Sequence, residues 1–360
     1  MKPVSKPYLP SKEKYISLID TIYENNILTN NGPLVRELES RLCCYLGVKN
    51  VICVANGSLA LQVAYKALGV TGEVITTPFS FAATSSTLLW EGIKPVYCDI
   101  DRNNFNININ NIEKLITRDT TAILPVHVFG NPCNVEEIDA IKNKYSLKVI
   151  YDAAHAFGVQ YNGHSVLNYG DISTLSFHAT KIFHTIEGGA IITNCDIYAK
   201  KIRSMINFGL DCPSAQGIGT NAKMNEFEAA MGICVLDDME RIIFKERFIL
   251  ANFYKKELYG MVKFQKWHEK SIETHAYMPI VFNDENSLIN VQESLLKQGY
   301  YARRYFYPSL DKIYMDSKKA CELSVSNDIS QRILCLPLYA GLELSDVEKI
   351  VGIIKGILNS

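Results

Sequence analysis

The stretch that decides the fold runs Asp171-Ile-Ser-Thr-Leu-Ser-Phe-His-Ala-Thr-Lys181-Ile-Phe-His-Thr-Ile-Glu187-Gly-Gly-Ala190. An apolar run, Ile172–Phe177, predicts a strand that leads to Lys181, and a second apolar strand, Ala190–Thr193, follows the acid-glycine-glycine turn. A lysine held between two buried strands would lose hydration, and the pKa of its amine would fall toward the nucleophilic range. Such an amine suits Schiff-base chemistry. The alternative is a strand-end lysine whose amine extends out to water.

The bulk composition excludes several classes of function. The 360 residues carry 37 lysines and arginines against 38 aspartates and glutamates, so no basic field favours nucleic acid or a membrane surface. The ten cysteines are scattered and include no Cys-x-x-Cys pair, which fits neither a disulfide framework nor a zinc site. No signal-peptide core and no bilayer-spanning stretch is visible. We therefore expect a cytoplasmic protein without nucleic-acid or membrane partners.

Apolar strand-like runs alternate with amphipathic helical segments over the first part of the chain. Strands are predicted at 51–55, 73–77, 94–100, 122–128 and 148–152. This alternation is typical of an α/β fold, in which helices cover both faces of a mostly parallel sheet. A long helix at 223–258 leads into a smaller α+β pattern with strands at 275–282, 300–307 and 333–338. We expect a large domain at residues 1–240 and a small C-terminal domain at 241–360.

Four chemically distinct groups fall at or just past the ends of predicted strands. They are the turn Gly57-Ser58, Phe81, Asp152 and Lys181. Ligands of open parallel sheets lie at the carboxyl ends of the strands, so these groups are expected to share one site. The Gly-Ser turn opens a helix, whose free backbone N–H groups would form an anion site. Each group has an ordinary alternative: a serine helix cap, core packing for Phe81 and a turn-capping role for Asp152.

One cofactor, pyridoxal 5'-phosphate, requires all four groups together. Its aldehyde condenses with a lysine amine, its phosphate suits a helix N-terminus, and its ring lies between flat or small side chains. A carboxylate must also pair with the pyridine nitrogen, which suits Asp152 because an unpaired buried carboxylate is costly. A dinucleotide site would need Gly-x-Gly-x-x-Gly, whereas the turn after the first strand reads Asn-Gly-Ser-Leu-Ala-Leu. Walker and His-Glu-x-x-His motifs are missing from the sequence as well.

A set of motifs spans nearly the whole chain. Its members are Leu28-Thr-Asn-Asn-Gly-Pro33, Asn56-Gly-Ser58, Thr77-Pro-Phe-Ser-Phe81, Asp152-Ala-Ala-His155, Ser176-Phe-His-Ala-Thr-Lys181, Glu187-Gly-Gly189 and Arg304-Tyr-Phe-Tyr-Pro308. This set resembles the sugar aminotransferases of the DegT/DnrJ/EryC1/StrS family. The resemblance implies the fold-type-I architecture of pyridoxal-phosphate transferases, with a large, mostly parallel sheet domain and a smaller α+β domain. It also implies a homodimer whose active sites are shared between subunits.

The resemblance implies roles for individual residues. Lys181 resembles the family's Schiff-base lysine, Asp152 the partner of the pyridine nitrogen, and His155 a side chain near the cofactor's 3-hydroxyl. The ordinary alternative for His155 is a partly buried histidine satisfied by backbone. Ala154 and Phe81 would lie against the two faces of the ring. Phosphate contacts are implied for Gly57, Ser58, Ser176 and, from the partner subunit, Asn225.

The substrate contacts are predicted from two further segments. Candidates for binding a diphosphate or sugar hydroxyls are Asn31, Arg304, Tyr305 and Tyr307. The alternative for the last three is a solvated cationic strand.

The reaction that the resemblance implies is a transamination in two halves. L-Glutamate supplies the amino group, the freed Lys181 amine moves a proton, and a nucleotide-linked keto sugar accepts the amino group. The segment Pro7–Pro10 and the 28–33 motif resemble members acting at C4 more than those acting at C3. This resemblance implies conversion of dTDP-4-keto-6-deoxy-D-glucose to dTDP-4-amino-4,6-dideoxy-D-glucose for O-antigen and lipopolysaccharide biosynthesis. A 3-keto-sugar aminotransferase making a dTDP-3-amino-3,6-dideoxyhexose is the alternative. A sugar dehydratase is disfavoured, because such relatives carry histidine where this chain has Lys181.

Overall fold

The structure, a computed structural model, describes residues 1–210, 217–314, 318–319 and 322–359. The strands are β1 (Asn50–Val54), β2 (Glu73–Thr76), β3 (Lys94–Tyr97), β4 (Thr120–Leu124), β5 (Lys148–Asp152), β6 (Gln160–Tyr161), β7 (His164–Ser165), β8 (Ile172–Ser176), β9 (Gly189–Thr193), β10 (Lys263–Phe264), β11 (Pro279–Val281), β12 (Lys318–Lys319) and β13 (Ile333–Cys335). The α-helices are α1 (Lys12–Asn25), α2 (Pro33–Leu46), α3 (Gly57–Leu68), α4 (Ala82–Trp90), α5 (Ile109–Leu115), α6 (Val135–Tyr145), α7 (Asp196–Met205), α8 (Glu226–Asp238), α9 (Lys245–Glu257), α10 (Glu285–Lys297), α11 (Leu310–Ile313), α12 (Ser324–Arg332) and α13 (Leu344–Leu358). Short 3-10 turns lie at Val128–Gly130 and Val166–Asn168, and a π-helical turn lies at Met239–Phe244.

The large sheet has the strand order β1-β9-β8-β5-β4-β2-β3-β12. Strands β8, β5, β4, β2, β3 and β12 run parallel, whereas β9 is antiparallel to both of its neighbours. The carboxyl ends of the parallel strands therefore meet along one edge of the sheet, where ligands bind in folds of this kind. The predicted α/β class and the mostly parallel sheet are confirmed.

Both faces of the sheet are buried, which explains why its strands read as continuous apolar runs. In β1, Val51 and Cys53 face a core formed with helices α2, α6 and α8. The alternate residues Ile52 and Val54 face the opposite core, formed with α3 and α7. Because successive side chains of a strand point to opposite faces, one short strand contributes to both layers.

The chain after α8 builds a second core. The helix predicted over 223–258 is divided into α8, the π-helical turn and α9, and it begins only at Glu226. An antiparallel sheet of order β10-β11-β13 packs against α9, α10 and α13. However, β12 returns to the large sheet and pairs with β3. The domain boundary near residue 240 stays a prediction.

Three strand predictions in this part of the chain differ from the structure. The strand expected over 333–338 is shorter, because β13 ends at Cys335. The strand expected over 275–282 is limited to β11, because His275 has a positive φ of 53° that interrupts the extended backbone. The segment 300–307 forms no strand; Arg303 makes an isolated bridge to Cys335, and Phe306 turns into an apolar cluster with Phe79 and Phe129. In the described ranges, helices that combine the length and apolarity needed to cross a membrane are absent.

Candidate active site

A cavity of about 310 Å³ opens at the carboxyl ends of the parallel strands. Most of the residues predicted for the site line it together: Gly57, Ser58, Phe81, Asp152, Ala154, His155, Ser176, Lys181 and Tyr305. These residues come from five separate segments of the sequence, so their convergence is a property of the fold.

Lys181 reaches the cavity on the loop that follows β8. Its Nζ donates a hydrogen bond to the Tyr277 hydroxyl at 3.4 Å. Burial lowers the pKa of the Lys181 amine to about 8, although the charge of Asp152 acts in the opposite direction. The amine can therefore gain and lose a proton near neutral pH. This is the lowered pKa that the position of Lys181 between two strands predicts.

The glycines after Glu187 close the loop that carries Lys181. A Cβ on Gly188 would lie 2.0 Å from Thr185 Oγ1, and one on Gly189 would lie 2.7 Å from the carbonyl carbon of Asn56. Larger residues would clash with both neighbours. The two glycines thus allow the start of β9 to pack against the turn before α3, which brings the lysine loop beside the helix N-terminus.

Asp152 ends β5 inside the cavity and is buried, with 6% of its surface exposed. Its Oδ2 accepts a hydrogen bond from the Thr84 hydroxyl at 2.7 Å, and its Oδ1 accepts one from the Ala154 N–H at 3.2 Å. Burial raises the pKa of this carboxyl, whereas the two hydrogen bonds and the charge of Lys181 lower it. The carboxylate is held rigidly in a dry position where a cationic partner would stabilise it.

His155 lines the cavity as a neutral ring. Its Nδ1 accepts a hydrogen bond from the Phe129 N–H at 3.3 Å, which assigns the ring proton to Nε2. Burial, with a smaller effect of the Lys181 charge, holds the pKa of His155 well below its usual range. The ring is parallel to that of Phe306, with centroids 5.9 Å apart. Its neutral state leaves an N–H donor and no charge at the site.

The N-terminus of α3 forms an anion cradle at the cavity. The helix cap is Asn56, whose Oδ1 accepts a hydrogen bond from the Leu59 N–H at 2.9 Å. The alternative in which Ser58 is the cap is therefore wrong, and its hydroxyl lines the cavity instead. A Cβ on Gly57 would lie 3.0 Å from the Ser176 Cβ, so glycine permits close approach of α3 and β8. Helix N–H groups and two hydroxyls together suit a phosphate.

Four predicted residues lie outside this cavity. Asn225 caps α8 through a capping box with Glu228, and Asn31 is an exposed turn residue whose carbonyl accepts from Arg36. The Arg304 guanidinium donates to the Glu285 carboxylate at 2.6 Å and lies over the ring of Tyr307. These contacts hold Arg304 and Tyr307 away from the other site residues.

Several residues at the site were not predicted, among them Thr84, Tyr277 and Arg303. Thr84 binds Asp152, and Tyr277 and Arg303 line the cavity. Arg303 lies 4.7 Å from the ring of Tyr305. Of these residues, only Arg303 had a signal in the sequence. Alternate residues of an extended segment share a face, so this pattern places Arg303 on the same face as the candidate Tyr305.

A comparison with protein families identifies the chain. The model of the DegT/DnrJ/EryC1/StrS aminotransferase family matches residues 11–355. The chain belongs to this family. The predicted family, the predicted fold and the prediction of an aminotransferase are thereby confirmed.

Curated relatives in the DegT/DnrJ/EryC1/StrS family cover nearly all of the chain. A dTDP-4-amino-4,6-dideoxy-D-glucose transaminase from Shigella dysenteriae is 42% identical over 361 residues, with 98% of each chain covered. A transaminase of the same name from Escherichia coli is 38% identical over 364 residues, again with 98% of each chain covered. Among solved structures, DesI with its TDP-sugar product has a TM-score of 0.95 at 29% identity, covering 99% of this chain and 93% of DesI.

Proposed function

We propose that this protein is a pyridoxal-phosphate-dependent aminotransferase that transfers the amino group of L-glutamate to C4 of dTDP-4-keto-6-deoxy-D-glucose. The observation that carries the proposal is one cavity containing both Lys181, whose amine has a lowered pKa, and the buried carboxylate of Asp152. An amine that titrates near neutral pH is suited to repeated proton transfer. A buried carboxylate is suited to binding a protonated ring nitrogen.

The side chains present fit pyridoxal phosphate. The phosphate would be held by the N-terminus of α3 and the hydroxyls of Ser58 and Ser176. Asp152, whose pKa is raised by burial, would gain the cationic partner that offsets its desolvation. Ala154 and Phe81, which both line the cavity, are the small and the flat residue for the two ring faces. The Nε2–H of His155 would donate to the ring hydroxyl.

The chemistry divides between the cofactor and the chain. When bound, the cofactor supplies an electron-withdrawing ring that stabilises negative charge at the reacting carbon. With the cofactor bound, Asp152 would keep the ring nitrogen protonated, because its negative charge favours the cation. Lys181 would remove the proton from the reacting carbon and return it. Its amine has a pKa of about 8, so both of its protonation states are populated near neutral pH.

The choice of sugar is supported by the curated relatives. Both are named dTDP-4-amino-4,6-dideoxy-D-glucose transaminase, and each aligns over 98% of this chain. In the cavity, Arg303 offers a cation for an anionic substrate group, and Tyr305 offers a hydroxyl beside it. Tyr305 therefore stays a candidate for substrate contact, and Arg303 replaces Arg304 and Tyr307, which lie outside the cavity.

We also infer a homodimer with shared sites. A second cavity, of about 570 Å³, meets the first at Ser58, which lines both. Exposed apolar side chains lie beside it, with Trp90 81% and Ile218 61% exposed. Covering such a surface with a second copy would bury apolar area next to the phosphate cradle. In that arrangement Asn225, which lies outside the cavity of its own chain, would reach the cradle of the partner.

The experiment that tests the proposed activity is product analysis. Purified protein loaded with pyridoxal phosphate is given L-glutamate and dTDP-4-keto-6-deoxy-D-glucose, and 2-oxoglutarate and the sugar product are followed by NMR. We expect stoichiometric 2-oxoglutarate and an amino group at C4, with no product from Lys181→Ala. Amination of the 3-keto isomer in preference, or loss of water from the sugar without 2-oxoglutarate, contradicts the proposal.

The shared site has its own test. We expect Lys181→Ala and Asn225→Ala to be impaired as separate homodimers. If each site takes its lysine from one chain and its asparagine from the other, each mixed dimer has one intact site. Co-expression should then restore about a quarter of the wild-type activity. No recovery in a mixture that contains hybrid dimers contradicts shared sites.

A further inference from the structure

The Tyr277 side chain brings the second half of the chain into contact with the reacting lysine. Its hydroxyl lies 3.4 Å from Lys181 Nζ. Its ring lies against His155, with centroids 4.6 Å apart, and against Phe129 at 5.5 Å. Burial raises the pKa of the Tyr277 hydroxyl, so the phenol keeps its proton at neutral pH. A neutral phenol can accept a hydrogen bond from an ammonium group and donate one to a neutral amine.

The backbone that precedes Tyr277 is held by a buried arginine. Arg247, on α9, donates from Nε to the His275 carbonyl at 3.0 Å and from Nη2 to the Ala276 carbonyl at 2.6 Å. Only 5% of its surface is exposed, and no ion pair of Arg247 occurs within the described ranges. A buried cation is costly unless it is compensated. Here the compensation comes from these two carbonyls.

The same segment has a strained and doubly fixed conformation. His275 has a φ of 53°, a left-handed backbone conformation that is uncommon for residues other than glycine. Its Nδ1 lies 3.2 Å from the Glu273 carboxylate, which also pairs with Lys255 of α9. Such a conformation persists when its surroundings determine it. The turn at His275 directs Tyr277 out of the small sheet and into the cavity.

From this geometry we propose that Tyr277 holds the Lys181 amine through its hydroxyl, and that Arg247 is a positioning residue that acts through Tyr277. The inference deepens the proposed function and rests on it for its role in catalysis. An amine that alternates between charged and neutral forms needs a partner that can serve both. The Tyr277 hydroxyl serves both by exchanging its roles as acceptor and donor, without taking on charge itself.

The proposal predicts how the pKa of Lys181 responds to substitution. Hydrogen bonds to charged groups are stronger than those to neutral groups, so the Tyr277 hydroxyl favours the ammonium form. Tyr277→Phe keeps the ring packing on His155 and removes that hydrogen bond. We expect the pKa of Lys181 to fall further, by about half a unit given the 3.4 Å separation. Arg247→Gln should shift it in the same direction by releasing Tyr277.

The experiment measures the reactivity of Lys181 in the full chain freed of cofactor. Trace labelling with acetic anhydride between about pH 6 and about pH 10, with the Lys181 peptide quantified by mass spectrometry, gives the pKa of the amine. This readout needs no sugar and no amino donor. A protein that fails to transaminate, and so fails the proposed function, still tests the contact between Tyr277 and Lys181.

Controls and a double variant separate a specific role from general damage. Tyr301→Phe and Arg241→Gln alter exposed side chains outside the cavity and should leave the labelling profile unchanged. If Arg247 acts through Tyr277, Arg247→Gln adds no further shift in the Tyr277→Phe background. An unchanged profile in Tyr277→Phe overturns the hydroxyl contact. If Arg247→Gln shifts the pKa of Lys181 equally in the wild-type and the Tyr277→Phe background, the positioning role is overturned. Arg247→Lys provides a milder variant for the same comparison.

Discussion

The hydrogen bond between Thr84 and Asp152 provides a quantitative test of the site. The Thr84 hydroxyl donates to Asp152 Oδ2 at 2.7 Å and therefore accepts from Ser80, whose hydroxyl is also 2.7 Å away. All three side chains are buried. Thr84→Val replaces the hydroxyl by a methyl group of similar volume, so the packing of α4 is retained while the carboxylate loses its side-chain donor.

The magnitude follows from the charge of the acceptor. A hydrogen bond to a charged group contributes more than one between neutral groups, and a buried acceptor that loses its donor carries the desolvation cost. We therefore expect Thr84→Val to lower the free energy of unfolding of the cofactor-free protein by about 2 kcal/mol when Asp152 is ionised. When Asp152 is protonated, the loss should be about 1 kcal/mol, as for a neutral pair.

The pH dependence of this loss has a definite sign. Burial raises the pKa of Asp152 in the folded protein. A carboxyl with a raised folded-state pKa destabilises the fold above that pKa, and the penalty disappears as the pH falls below the unfolded-state value. Thr84→Val removes a contact that lowers this pKa, so the penalty at neutral pH grows. The variant should therefore be less destabilised in acid than at neutral pH, relative to wild type at the same pH.

Urea unfolding at about pH 8 and at about pH 3.5, just below the ordinary pKa of an aspartate carboxyl, is the assay, at one protein concentration and without cofactor. The matched control is Thr87→Val, one turn along the same helix. The Thr87 hydroxyl donates to the Ala83 carbonyl at 2.8 Å and meets the neutral Tyr65 hydroxyl, so its loss should not depend on pH. Equal destabilisation by Thr84→Val at the two pH values refutes the reasoning, as does a loss no larger than that of the control.

Three further predictions concern the cavity itself. Gly57→Ala places a Cβ 3.0 Å from the Ser176 Cβ and should weaken cofactor binding, measured by equilibrium dialysis, about tenfold. The control Gly352→Ala, whose Cβ would have no neighbour within 4 Å, should leave the affinity unchanged, and equal affinities of the two variants would contradict the phosphate cradle. Asp152→Asn should reduce kcat/KM by on the order of a hundredfold to a thousandfold, and full activity would exclude the proposed role of Asp152. Because the substitution removes a desolvated charge, the cofactor-free variant should be no less stable than wild type in thermal unfolding. Arg303→Gln should raise the KM of an anionic substrate about tenfold in a steady-state assay. The control Arg304→Gln should raise it less, and the reverse order would make Arg304 the substrate-binding cation.

Much of the candidate site was predictable because strand ends converge. Lys181, Asp152 and Gly57 each follow an apolar run, and the carboxyl ends of strands in an open parallel sheet meet at one edge. The acid-glycine-glycine turn was informative for a related reason, since close backbone packing at Gly189 tolerates no side chain. These features depend on local pattern and on sheet topology, both of which can be read along the chain.

The remaining residues depend on how the second half of the chain packs against the first. Tyr277 enters the cavity because the turn at His275 breaks an expected strand, and the choice between Arg303 and Arg304 follows from which one binds Glu285. Tyr277 has no local signal, and the alternation of Arg303 with Tyr305 is only a weak one, because both outcomes are set by contacts between residues far apart in sequence. The sequence by itself determined the sheet, the lysine and the carboxylate beside it. Only the tertiary structure decided which side chains hold that lysine and which cation lines the cavity, because packing at long range selects among locally equivalent residues.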